Sequence, residues 1–185
     1  MATELLYSNG PGPGFETANR IVVEPPLLQP NQLWIGGVSI SSTTAPGSDT
    51  ACTNGTFYFA SVWVPCRMKV TGLGYLVGSV GGTDKVIPYL WDAAGTLIIA
   101  GDLAGTTVAA TTLIQSVAFT DIVHIEGPGT YIAGVIFNGT TAKFRAHTQA
   151  HKFVSGSVAG TFGTSQNIVV PTTFTADKGP VGFIY

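Results

Sequence analysis

The feature that most constrains this chain is its rhythm. Short apolar runs, five to ten residues long, recur at spacings near ten residues, and Gly, Asn, Asp and Thr punctuate them. No window carries apolar residues at helical spacing between helix caps, so a helical fold is excluded. Strands are expected at Leu33 to Ile40, Thr56 to Val64, Met68 to Val77, Lys85 to Trp91, Thr96 to Ala100 and Leu113 to Phe119. Further strands are expected at Ile122 to Ile125, Thr130 to Phe137, Ala142 to Ala146, Asn167 to Val170 and Val181 to Tyr185. Many short strands with turns between them predict an all-β sandwich or barrel, and the 24 glycines suit tight corners.

Several of these strands are apolar on both faces. In "TFYFASVWV", Phe57, Phe59 and Trp63 fall on one side and Tyr58, Val62 and Val64 on the other. A simple two-layer sandwich leaves the outer face of each sheet wet and polar, so something must cover these faces: a loop, an arm or another subunit. Residues 1–30 read as an extended N-terminal arm and residues 31–185 as the β-sandwich domain. The arm is rich in proline, which fixes φ and removes a donor. It also carries Leu5, Leu6, Tyr7, Phe15, Ile21, Val22, Val23, Leu27 and Leu28, too much apolar surface for a solvated linker. Two placements stay open: a groove or sheet edge of another molecule, or the chain's own domain. Residues 144–165, rich in Ala, Ser, Gly and Thr, read as a long loop with one weak strand.

Only 10% of the 185 residues are charged, against about 25% in an ordinary soluble domain. A surface so poor in charge is easier to keep in solution when partners cover it. The net charge of −2, with no Lys/Arg cluster, gives no footprint for nucleic acid. No signal peptide or membrane-spanning helix is read, and a cytosolic product is expected. The sequons at Asn54 and Asn138 are Asn-Gly steps and read as hairpin turns rather than glycosylation sites. In such a compartment Cys52 and Cys66 read as free, buried thiols rather than a cross-strand disulfide.

No reaction chemistry is assembled. His147 and His151, four apart, would share a face on a helix, but the Gly, Ser and Thr around them do not support one. On a strand they also share a face, about 13 Å apart, too far for one metal ion. Three of the four glutamates lie in the arm, and the domain's carboxylates sit beside turn residues, where Asp bonds its own backbone. Asp92, in "VIPYLWDAAGTLIIAGD", reads as the corner of a turn closed by Gly95. Pro88 in the same stretch cannot donate to a ladder and marks an edge or a bulge. There is no G-x-S-x-G elbow, and "GLGYLVG" lies in strand-like sequence with no helix after it. Trp63 and Trp91 read as core residues. Trp34, near the arm junction, is the better candidate for a contact residue, and exposed aromatics keep a glycan-binding module in view.

Three stretches, "GTFYFASVWVPCRMKVTGLGYLV", "VIPYLWDAAGTLIIAG" and "GPGTYIAGVIF", resemble β-sandwich domains of bacteriophage virions in the same order, over residues 55 to 137. That resemblance implies a jelly-roll-like antiparallel β-sandwich and a structural role in the virion, with no catalytic residue, metal or cofactor. A capsid decoration (cement) protein is expected, assembled in the host cytoplasm onto the capsid surface. Its expected partners are the major capsid protein and copies of itself as a homotrimer, with no nucleic acid and no membrane. The chain, short and opening on methionine, is read as complete, and it lacks the fibrous repeats of a tail fibre. A tail-fibre, receptor-binding or glycan-binding module is the alternative. The expected partner-binding residues are Tyr7, Phe15, Ile21, Val22, Val23, Leu27, Leu28 and Trp34.

Overall fold

Runs of Val, Ile, Phe, Tyr and Trp favour a pleated, half-buried backbone, and most of the expected strands form. A computed structural model describes residues 33–35, 47–109, 114–148 and 154–185. Among these residues there are twelve strands and no α-helix. They are β1 (Leu33–Trp34), β2 (Ser48–Ala51), β3 (Thr56–Val64), β4 (Met68–Leu76), β5 (Lys85–Asp92) and β6 (Leu97–Ala100). The remainder are β7 (Thr106–Thr107), β8 (Ile114–Ile125), β9 (Gly129–Phe137), β10 (Lys143–Ala146), β11 (Ser155–Ala159) and β12 (Gly182–Ile184).

One sheet runs β1-β12-β4-β8 and a larger one runs β11-β3-β9-β5-β6, with β7 also against β5. A separate ribbon pairs β10 with β2. The paired strands are antiparallel throughout, and the fold is an all-β sandwich, as expected. Between the sheets lie Tyr58, Val62 and Val64 from β3, Leu73 and Tyr75 from β4, Val117 and Phe119 from β8, and Val135 and Phe137 from β9. Phe144 of the ribbon joins them, its ring 4.7 Å from Tyr58 and 5.6 Å from Phe137. The Tyr75 hydroxyl, taken out of water here, donates to Gln115 Oε1 at 2.8 Å, as a buried polar group must.

The larger sheet has a second apolar layer on its other face. Phe57 and Phe59 of β3, Ile87, Tyr89 and Trp91 of β5, and Ile132 and Ile136 of β9 pack there. Tyr89 and Trp91 stack with ring centroids 5.3 Å apart, and Phe57 meets both edge-on. Gly134 lies opposite both Phe59 and Tyr89, leaving room for the rings around it. The chain itself covers this layer. A strap over residues 160–171 brings Phe162, Ile168 and Val170 onto the aromatics. Tyr89 donates to Thr164 O and Trp91 Nε1 to Gln166 O, both at 2.8 Å, while Ile168 N donates to Gly95 O at 2.9 Å. Of the three covers the sequence allowed, this face has a loop.

The strap also corrects the strand expected at Asn167 to Val170. Ile168 is buried while Val169 is 81% exposed, so the alternation is present. The segment crosses a sheet face rather than running along an edge, so it finds no ladder partner. The strands expected at Leu113 to Phe119 and Ile122 to Ile125 are one continuous β8, with its register to β4 shifted between Val70 and Gly72. Pro88 marks no edge: β5 has β9 on one side and β6 and β7 on the other. Its missing N–H falls at the joint between β6, which pairs with Tyr89–Trp91, and β7, which pairs with Lys85–Val86. There the Pro88 carbonyl accepts from Gly101 N at 2.8 Å, and a Cβ on Gly101 would strike the proline ring. The β5–β6 register irregularity lies further on, between Leu90 and Trp91.

Neither Asn-Gly step is a hairpin. Asn54–Gly55 joins β2 to β3 and Asn138–Gly139 joins β9 to β10, and neither pair of strands is hydrogen-bonded to each other. Both cysteines are free, but only Cys52 is buried; Cys66, in the corner after β3, is exposed, which corrects the expectation of two buried thiols.

Candidate functional site

Asp92 and Asp102 are engaged in holding turns. Asp92 Oδ1 accepts from Ala94 N at 2.9 Å and Thr96 N at 2.8 Å, while Gly95 N donates to Asp92 O at 3.0 Å. Gly95 has φ 88°, a conformation that disfavours a side chain. Asp102-Leu-Ala-Gly-Thr repeats the device, with Ala104 N on Asp102 Oδ1 and Gly105 N on Asp102 O, both at 2.9 Å. Asp84 is buried, and its Oδ2 accepts from Thr141 N and Ala142 N at 2.8 Å and from the Cys52 thiol at 3.7 Å. Burial, with the Asp84 charge beside it, pushes the Cys52 thiol up to about 12, so it is no nucleophile at neutral pH. Glu126 pairs with Arg67 at 3.1 Å, with both side chains in solvent.

One concentration of charge does form, on the ribbon. Alternation along "SDTA" and "KFRA" puts Asp49 opposite Arg145, with Lys143 on the same face. Asp49 Oδ1 accepts from Ser79 N at 2.8 Å and Oδ2 from the Ser79 hydroxyl. Lys143 Nζ stands 3.4 Å and Arg145 Nε 3.8 Å from the same carboxylate. Burial raises the Asp49 pKa, but the Ser79 bonds and the two cations outweigh it and hold the carboxyl below its ordinary value. Beside them Ser48 Oγ donates to Asp177 Oδ1, and Asp177 takes a positive φ of 61°. Its N–H donates to His147 O at 2.8 Å. This network ties the ribbon to the loops around it. The alternating charges in "KFRA" were the sequence signal for it, and sequence reasoning missed them.

Of the expected contact residues, Tyr7, Phe15, Ile21, Val22, Val23, Leu27 and Leu28 lie outside the described residues, and so does the proposed boundary between arm and domain. Trp34 is in β1, paired with Phe183 at the edge of the smaller sheet. Trp63, expected in the core, is 60% exposed, whereas Trp91 is fully buried. The two tryptophans share the outer side of the same sheet. The strap's apolar residues reach Phe57, Phe59 and Trp91, but Trp63 stands at the end of β3, past Ser61. His147 is buried, His124 is exposed on β8 opposite Lys69, and His151 lies outside the described residues. Among the described residues no three His, Cys, Asp or Glu side chains gather as metal ligands would. The chain matches no protein-family model and no curated protein sequence.

Proposed function

We propose that this protein is a structural component of a bacteriophage virion, a capsid decoration protein that stabilises the head by contacts between subunits. The observation that carries this reading is the strand order. β1-β12-β4-β8 facing β3-β9-β5-β6 is the order of two interlocked Greek keys, which supports a jelly roll, an architecture used by viral capsid and lectin domains. Aromatic side chains fill the space between the sheets, so binding would take place on the outside of the fold. The low charge of the chain supports burial of its surface against partners, namely the major capsid protein and further copies of itself in a trimer. Nucleic acid and membrane have no part in this reading. Because the strap covers Phe57, Phe59 and Trp91 on the outer face of the larger sheet, those aromatics supply no subunit contact in this reading. The arm residues and Trp34 are the proposed points of attachment. At roughly 25 cal/mol per Å² of apolar surface, even a standard-sized interface repeated over a shell adds substantial stability.

Locating the protein on purified virions by cryo-electron microscopy tests this reading: copies at capsid lattice positions are expected, and a tail location overturns it. Removing residues 1–30 is expected to abolish attachment to particles while the sandwich still folds. One observation favours a second reading, a glycan- or receptor-binding module: the exposed indole of Trp63 on a paired strand, a ready stacking surface. Glycan binding that is lost in Trp63→Ala or Trp34→Ala would support it.

A further inference from the structure

The sequence Asn-Gly-Thr occurs twice, at residues 54–56 and 138–140, and the fold treats the two copies differently. At the first, the Gly55 N–H is engaged: it donates to Phe137 O at 3.1 Å, and Thr56 N donates to Thr53 O at 3.2 Å. At the second, it is the asparagine side chain that is engaged. Asn138 N donates to Lys85 O at 3.1 Å, continuing the β5–β9 ladder, and Lys85 N returns a bond to the side-chain Oδ1 at 2.6 Å. A main-chain N–H therefore points at the oxygen of the Asn138 amide. Residue 139 is constrained to glycine, because a Cβ would run into the Asp84 carboxylate. The least hindered step for attack on an asparagine amide is thus built into this turn, in an exposed residue.

We propose that Asn138–Gly139 is a self-modification site, favoured by the fold over the identical step at Asn54–Gly55. The Gly139 nitrogen forms a bond to Asn138 Cγ, the Cγ–Nδ2 bond breaks, and Nδ2 leaves as ammonia. The proton lost by Gly139 passes through water to that ammonia. Water then opens the cyclic imide at one carbonyl or the other, giving aspartate or isoaspartate. Negative charge collects on Oδ1 in the tetrahedral intermediate, where the Lys85 N–H stabilises it in the manner of an oxyanion-hole donor. At residue 54 the nucleophilic nitrogen must first give up its bond to Phe137 O. The aspartate product keeps an acceptor for Lys85 N. The isoaspartate product adds a carbon to the main chain and breaks the register in which Asn138 meets Lys85, loosening the connection from β9 to β10.

Incubating the full chain at mildly alkaline pH, folded and in concentrated urea, and mapping peptides by mass spectrometry tests this. In the folded protein Asn138 is expected to deamidate roughly tenfold faster than Asn54, equivalent to about 1.4 kcal/mol in barrier, and in urea the two rates converge. Equal rates or a faster Asn54 in the folded protein, or the same preference for Asn138 persisting in urea, would overturn the proposal.

Discussion

The larger sheet has two apolar faces, closed by different means. Its inner face packs on a second sheet whose backbone is satisfied by its own ladders. Its outer face packs on an irregular strap, which meets the sheet through carbonyls accepting from Tyr89 and Trp91 and through three apolar side chains. A sheet can thus be buried on both sides without a second subunit, provided that the covering segment finds donors on the sheet's own aromatic side chains. The difference also separates two roles for the same residue type. Trp91 is an anchor because the strap reaches it, and Trp63 stays in solvent because the strap does not.

The largest expected effects test whether the outer layer is a core in its own right. Phe137→Ala, facing inward, and Trp91→Ala, facing outward, are each expected to cost about 3–5 kcal/mol in urea unfolding. A cost below about 1 kcal/mol for Trp91→Ala would mean that the strap is only draped over the sheet. Ile168→Ala, on the strap itself, is expected to cost about 2–3 kcal/mol, and amide exchange along residues 160–171 should rise before exchange in β9 does.

Alkali acts on both layers. Burial pushes Tyr89 in the outer layer up to about 12, raises Tyr75 in the inner layer further still, and pushes Cys52 up to about 12. The folded state therefore favours the protonated forms. The contribution of Cys52 and Tyr89 is complete below their ordinary values of 9.0 and 10.0 and is lost as pH rises from there through about 12, while that of Tyr75 persists to higher pH. Thermal melts from pH 8 to pH 12 should show a falling midpoint, less steep in Tyr89→Phe. At neutral pH, Tyr89→Phe removes only the bond to Thr164 O and is expected to cost about 1 kcal/mol. The smallest effect is expected for Trp63→Ala, within about 0.5 kcal/mol of the parent. A large loss there would show that Trp63 is part of the packed structure and not a surface for a partner.

Much of this was legible in the sequence because β-structure writes itself locally. The two-residue period and the β-branched and aromatic enrichment located β3, β5 and β9 almost to the residue, and Asp92 and Gly95 announced their own turn. The double apolar character of "TFYFASVWV" showed that its sheet needed covering, and residue pattern alone determined that much. Which segment supplies the cover was decided by the tertiary structure. A strap and a strand share the same alternation, and only position over a face or along an edge distinguishes Asn167–Val170 from a ladder partner. The same holds for Pro88, whose missing donor is harmless only because two separate strands meet beside it, and for Trp63 and Trp91, which share a sheet face but of which the strap reaches only the second. Local chemistry fixes which residues must leave water, and long-range packing fixes what they meet when they do.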